Sequence, residues 1–257
     1  MDAIITAGGT PRPDEPLYTY TKGGCKALLD IAGKPMIQWV LDAFSLSQRI
    51  ERVVVVGLPA QADLKCSKPV MMVEDQGGMI ENIQAGVKKL KGDSPQMEAI
   101  ILSASDIPAI TSEMIDWLSQ IVERSDCNVY YTVISRRVME SRYPGSRRTY
   151  VHLKDVEVCG GDLHAIRADV FSTENPRWKR LVDARKNPLK QASILGFDTL
   201  LGILFRRFPL NRAVAMVGQR IDIRGEAVVC PYAEVGMDVD KPHQLEQLCA
   251  DLAQENL

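Results

Sequence analysis

The sequence is poor in residues that anchor several function classes. Histidine occurs only 3 times in 257 residues, and aromatics make up 6%. His152, His164 and His243 stand alone, with no two at a metal-ligating spacing, so all three read as structural histidines. The six cysteines, at 25, 66, 127, 159, 230 and 249, include no CxxC pair and read as reduced thiols. Cys25 has no evident base beside it, so packing is a better reading for it than nucleophilic chemistry. No apolar run reaches the length of a membrane span. Lys and Arg total 31 against 33 acidic residues, a net charge of −2, without the basic excess usual in nucleic-acid binders. The opening Met1-Asp2-Ala3-Ile4-Ile5 lacks the basic start and long apolar stretch of a secretory signal, and a cytoplasmic protein is expected. Internal repeats and low-complexity linkers are missing too.

What remains is an ordinary globular composition, 46% hydrophobic and 25% charged, in a chain long enough to bury a core without staples. Short apolar runs alternate with helix-period segments, the pattern of α/β folds. Strands are expected at 3–6, 52–56, 70–73, 99–102, 129–134, 150–153 and 227–230. The valine run in the second of these suggests burial on both faces. Helices are expected at 35–44, 79–90, 112–124 (capped by Thr111), 176–186, 188–195, 198–208, 211–218 and 242–255. No boundary divides the chain, and residues 1–257 are expected to form one domain.

Three places carry chemistry. Ala7-Gly8-Gly9-Thr10-Pro11-Arg12 directly follows the first strand. Glycines there let backbone N–H groups approach phosphate, and Arg12 adds a planar cation. Lys26 ends the loop with a second positive charge. The loop is neither GxxxxGK[ST] nor GxGxxG, and a surface loop of turn residues is its competing reading. Asp106 follows a buried strand, where a carboxylate could hold a hard cation; a turn aspartate is the alternative. Asp238 and Asp240 lie two apart on an extended segment and so point the same way. Either could complete a metal shell begun by Asp106. Asp240 also reads as the N-cap of the last helix, which leaves Asp238 as the better ligand.

Together these residues resemble the MobA-like nucleotidyltransferase family, within the sugar-phosphate nucleotidyltransferases and related glycosyltransferases of GT-A-like fold. The matching segments are Ala7-Gly8-Gly9 with Arg12; Lys26-Ala27-Leu28-Leu29 with Gly33 and Pro35; Leu102-Ser103-Ala104-Ser105-Asp106-Ile107-Pro108; and Asp238-Val239-Asp240-Lys241-Pro242. They occur in the family's order across almost the whole chain. The resemblance implies a mostly parallel, doubly wound sheet flanked by helices, with an NTP-binding half at about 1–125 and an acceptor-binding half at about 126–257. It implies that Ala7, Gly8, Gly9, Thr10 and Arg12 wrap the triphosphate, that Lys26 contacts phosphates, and that Asp106 and Asp238 hold Mg²⁺, or Mn²⁺ in its place. Glu74 to Asn82, which includes Gly77 and Gly78, falls where relatives contact base and ribose. Gly160, Gly161 and Asp162 fall where relatives line the acceptor site. This chain departs from the pattern in having Cys25 where many relatives have proline, Asp162 where asparagine is usual, and a longer loop between Arg12 and Lys26.

The implied partners are an NTP and a small anionic acceptor, with no nucleic acid and no integral membrane segment; a homo-oligomer is compatible. Catalytic roles fall to Arg12, Lys26 and Asp106. The runner-up activity is a glycosyltransferase using a nucleotide sugar, but the single acid of Ser103-Ala104-Ser105-Asp106 lacks that group's Asp-x-Asp. A non-catalytic nucleotide sensor is the other alternative. The basic run Arg136, Arg137, Arg142, Arg147 and Arg148 reads as a solvated loop or as a contact for the acceptor's anionic group. The apolar stretch 197–208 reads as core or oligomer packing, or as a contact for a membrane or a lipid-like acceptor.

Overall fold

The computed structural model describes residues 1–93, 97–171 and 205–255. The first strand, β1 (Asp2–Thr6), carries alternating apolar side chains to both of its faces. The chain then passes through a short helix α1 (Tyr18–Thr21), the hairpin β2 (Asp30–Ile31) and β3 (Lys34–Pro35), and α2 (Met36–Leu46). Next come β4 (Arg52–Val56), β5 (Val70–Val73), α3 (Met79–Asp93), β6 (Ala99–Ala104) and α4 (Ser112–Arg124). The second half supplies β7 (Val129–Ser135), α5 (Arg136–Arg142), β8 (Val151–His152), β9 (Glu157–Gly160) and β10 (Leu163–Arg167). It ends with α6 (Leu210–Ile221), β11 (Gly225–Cys230) and α7 (Pro242–Glu255).

Among the described residues, nine strands form one sheet, ordered β5-β4-β1-β6-β10-β7-β9-β8, with β11 beside β7. β5, β4, β1 and β6 are mutually parallel, whereas β10 runs antiparallel between β6 and β7. The valine run of β4 is buried throughout because both faces of the sheet are covered. Val53 and Val55 join Ala3 and Ile5 under α2 and α4, while Val54 and Val56 join Ile4 under α3. A smaller cluster of Val133, Val158, Leu153 and Ala213 packs α6 against the far part of the sheet. From β1 the chain leaves toward β4 on one side, and α3 later returns it to β6 on the other. This switch of direction opens a crevice at the carboxyl ends of β1 and β6.

Several expectations shift. β6 runs on to Ala104, and α6 exceeds the expected 211–218 at both ends, stopping at Asp222 in the left-handed region (φ 56°). Only Val151–His152 of the 150–153 strand pairs. Thr111 is extended (φ −119°, ψ 163°) just before α4, but its side chain makes no capping bond. The region of the basic run begins as a helix, α5, capped by Ser135 Oγ accepting from Val138 N–H. The expected helices at 176–186 and 188–195 lie outside the described residues, as does 198–204. Residues 205–208 form a turn, with Phe205 exposed. No helix among the described residues is long and apolar enough to cross a membrane.

Candidate functional site

The glycine loop rests directly on the chain that leaves β4. Ala7 N–H donates to Val56 O at 2.7 Å, and a Cβ on Gly57 would stand 2.3 Å from Gly8 N. Gly57 has φ +106°, a conformation side chains rarely adopt, so glycine is required there on two counts. The far end of the loop is tied back to its start. Lys26 N–H donates to Gly9 O at 2.8 Å, and Cys25 Sγ donates to Ala7 O at 3.1 Å. Cys25 therefore pins the loop closed, in keeping with a packing role.

That pin delivers Lys26 into the crevice. Its Nζ donates to Asp106 Oδ2 at 2.6 Å and to Asp240 Oδ1 at 2.6 Å. Burial opposes the charge, yet Asp106 and then Asp240 outweigh it and hold the ammonium's pKa above its ordinary value. Asp106 is placed by β6, and Val239 N–H donates to Asp106 O at 2.9 Å, which draws residues 238–240 alongside. The N-cap reading of Asp240 is corrected here. α7 begins at Pro242, whose ring sets the helical φ, so the residue before it, Lys241, occupies the cap position. Asp240 N–H is instead met by Gln244 Oε1 at 3.0 Å, and its carboxylate is directed to Lys26.

Asp238, two residues earlier, turns to a different cation. It is buried and accepts from Arg148, whose Nη2 also donates to Gly160 O at 3.3 Å. The structure thus brings Asp106 together with Asp240 through Lys26, and sets Asp238 apart with Arg148. Among the described residues, no group of three or more His, Cys, Asp and Glu is disposed to hold a metal. The pair Asp106 and Asp240 nevertheless offers hard oxygens converging on one cation, a donor set suited to Mg²⁺ when phosphates and water complete the shell.

Asp162 enters from the loop between β9 and β10. Its N–H donates to Val235 O at 2.8 Å, and Ala104 N–H donates to its backbone oxygen at 2.9 Å. Its Oδ2 is buried without a hydrogen-bond partner and lies 3.9 Å from Arg148 Nη2. Burial, reinforced by Asp106, pushes its carboxyl up to about 7. Gly161 beside it has no room for a side chain, since a Cβ would meet Thr132 Oγ1 at 2.3 Å. Nearby, His164 stacks on Tyr131 with ring centroids 4.4 Å apart, and burial lowers its pKa to about 4.

Other expected residues lie further out. Arg12 is exposed (73% of its side chain) and bonds Glu15 in its own loop, with Nε to Oε1 at 3.4 Å. Thr10 is exposed as well. Asn82 is buried and spends its amide on the 75–77 turn, donating to Asp75 Oδ1 at 2.8 Å and accepting from Gln76 N–H at 2.6 Å. Gly77 (φ +81°) donates to the same Asp75 oxygen at 3.3 Å. At Gly78 a Cβ would collide with Glu81 Oε2 at 2.2 Å. Asp75 was not singled out from sequence, although it borders Gly8: a Cβ on Gly8 would be 3.0 Å from its Oδ1. Its sequence signal is its place in the Glu74–Asn82 segment, just before Gln76-Gly77-Gly78. Arg148 was visible only as one member of a basic run; of the others, Arg136 pairs with Glu157, and Arg142 with Glu234 and Asp251.

Residues 3–181 match the MobA-like NTP transferase domain. The chain belongs to that family. Solved structures similar to this family member include a hypothetical transferase from Thermus thermophilus, with TM-score 0.80 and 29% identity over 95% of this chain and 98% of that one. Two others share the fold at lower identity. One is CMP:2-keto-3-deoxy-manno-octonic acid synthetase complexed with CTP (TM-score 0.61, 18% identity, 99% and 98% coverage). The other is 2-C-methyl-D-erythritol 4-phosphate cytidylyltransferase, also from Thermus thermophilus (TM-score 0.52, 15% identity, 99% and 100% coverage). By sequence, 100 residues are 29% identical to 3-deoxy-manno-octulosonate cytidylyltransferase of Bdellovibrio bacteriovorus. That match spans 37% of this chain and 38% of the relative's length.

Proposed function

We propose that the protein transfers a nucleoside monophosphate from an NTP to a small anionic acceptor, releasing pyrophosphate. The observation that carries this reading is Lys26 between Asp106 and Asp240, at the foot of the Gly8-Gly9 loop and at the sheet's switch point. The relatives named cytidylyltransferases, and the synthetase complexed with CTP, make CTP the first nucleotide to try.

In this reading, the N–H groups of the Ala7–Gly8–Gly9–Thr10 backbone cradle the triphosphate. Lys26 turns to the phosphates, and Arg12 swings in from its exposed loop to neutralise the leaving group. Asp106 and Asp240 would hold Mg²⁺, or Mn²⁺, while Asp238 keeps Arg148 beside Gly160. When bound, the metal supplies Lewis-acid polarisation of phosphoryl oxygens. Gly77 and Gly78 border the nucleoside end, with Asn82 shaping their turn; Gly160, Gly161 and Asp162 face the acceptor. The acceptor's oxyanion attacks the α-phosphorus in line, forming one P–O bond as the bond to pyrophosphate breaks. An acceptor that arrives as an oxyanion needs no serine or cysteine nucleophile, so the protein's work is positioning and charge neutralisation.

The test is pyrophosphate release with Mg²⁺, crossing the four common NTPs with a panel of phosphorylated and carboxylated sugars. Release should require one NTP and one acceptor, and Asp106→Ala should lower turnover at least roughly 10²-fold. Near wild-type turnover by a folded Asp106→Ala protein would remove Asp106 from the chemistry. NTP binding with no release from any pair would favour a sensor.

A further inference from the structure

Two carboxylates that converge at the head of a sheet repel one another unless a cation lies between them. In this protein the cation is covalently part of the chain. Lys26 Nζ reaches Asp106 Oδ2 and Asp240 Oδ1 at 2.6 Å each, with only 15% of its side chain exposed. Nor is the ammonium carried by a loose segment. Lys26 starts a single 3-10 turn, Lys26–Leu28; its N–H is bonded to Gly9 O, and the turn is fastened to α2 by Met36 N–H donating to Leu29 O at 2.8 Å. The second cation of the crevice, Arg148, is engaged by Asp238 and Gly160 O. Charge on Asp106 and Asp240 is therefore met by Lys26 from a fixed base.

We infer that Lys26 is a placeholder cation, which occupies the space between Asp106 and Asp240 in the nucleotide-free protein and makes entry of a divalent ion conditional on nucleotide. The inference rests on the nucleotidyltransferase reading for the identity of what displaces Lys26. A divalent ion bridging Asp106 Oδ2 and Asp240 Oδ1 at about 2.1 Å would take the space that Lys26 Nζ fills between the same two oxygens. With Lys26 in place, the ion meets a pair already partly neutralised and must surrender strongly held water for little gain. A triphosphate changes the balance. It offers Lys26 several phosphate oxygens, draws the ammonium off the carboxylates, and brings ligands of its own to the metal. Metal and nucleotide then enter together, and the carboxylates are never left bare.

Mn²⁺ titration tests this, with free ion followed by electron paramagnetic resonance, with and without CTP and corrected for the Mn²⁺–CTP complex. Wild type should bind Mn²⁺ weakly alone and more tightly with CTP. Lys26→Met, which keeps the stem and removes the charge, should bind Mn²⁺ without nucleotide at least about tenfold more tightly than wild type. Lys26→Arg should stay as weak as wild type, and adding Asp106→Asn to Lys26→Met should abolish the gain. If Lys26→Met does not fold, Lys26→Gln carries the same titration. Equal Mn²⁺ affinity for wild type and the neutral variants overturns the placeholder. A gain in the neutral variants with no effect of any of the four common NTPs on wild type leaves the placeholder standing and overturns the nucleotide reading instead.

Discussion

Asp162 is a residue whose ionisation the fold resists. Its Oδ2 is buried without a partner, and burial, helped by Asp106, lifts the carboxyl from 3.8 to about 7. A group raised in the folded state favours folding fully below its unfolded pKa and loses that contribution as pH rises through the folded value. The window here runs from about pH 4 to pH 7. Asp162→Asn stays neutral across it, so thermal melts should show the variant gaining on wild type by a few degrees between pH 5 and pH 8. A difference that does not change with pH would mean that Asp162 ionises freely. His164 works in the opposite sense. Its pKa is depressed to about 4, so its contribution is present above about 6.5 and drains away as pH falls toward 4. Neither behaviour is written at the residue itself: a sequence shows an aspartate and a histidine but not what surrounds them.

Elements position the site through close backbone approaches. The Gly8 segment lies on Gly57, so Gly57→Ala both forces a side chain into φ +106° and drives its Cβ into Gly8. A loss of about 2 kcal/mol or more is expected by denaturant titration and, under the proposed function, weaker NTP binding, because the Gly8-Gly9 loop is displaced. Gly9→Ala is the contrasting case, with nothing within 4 Å of the added Cβ. It should leave stability within about 0.5 kcal/mol of wild type, and any loss of CTP affinity then reports direct crowding of the phosphates. Equal stability losses in the two variants would contradict this geometry. Among the strands, β4 and β5 appear at their expected bounds because their apolar runs are decisive on local grounds. β9 and β10 were missed. Leu163-His164-Ala165-Ile166-Arg167 mixes charge with apolar residues, and it is a strand because β6 and β7 bond it on either side. α5 was missed because a charge-rich segment shows its apolar face, Met139, only once β7 and its neighbours are there to bury it.

At the scale of the whole molecule, ligand binding should appear as added stability. At a nucleotide concentration about 100 times Kd, binding to the folded state alone adds about 2.7 kcal/mol. For a chain of this length that corresponds to a rise in Tm of about 5–10 °C with CTP and Mg²⁺. Other NTPs should raise Tm less at the same concentration, if CTP is the substrate. A nucleotide other than CTP giving the largest rise would reassign the base and leave the family fold untouched. The sheet is what makes the coupling global, because β1 and β6 carry the loop and Asp106 at adjacent ends, and each also spans the core.

Sequence alone determined the α/β class, the strands β1, β4, β5, β6 and β7, the Gly8-Gly9 loop, and the three acidic positions 106, 238 and 240. These are local properties: apolar periodicity, glycine at a strand end, a carboxylate after a buried run. Only the tertiary structure decided how the acids pair. Asp238 and Asp240 share an extended segment and pointed, by periodicity, the same way, yet one faces Arg148 and the other Lys26. That choice depends on cations 90 and 214 residues distant along the chain. Contacts at such separations are fixed by which strands lie side by side, and periodicity along one segment carries no information about them.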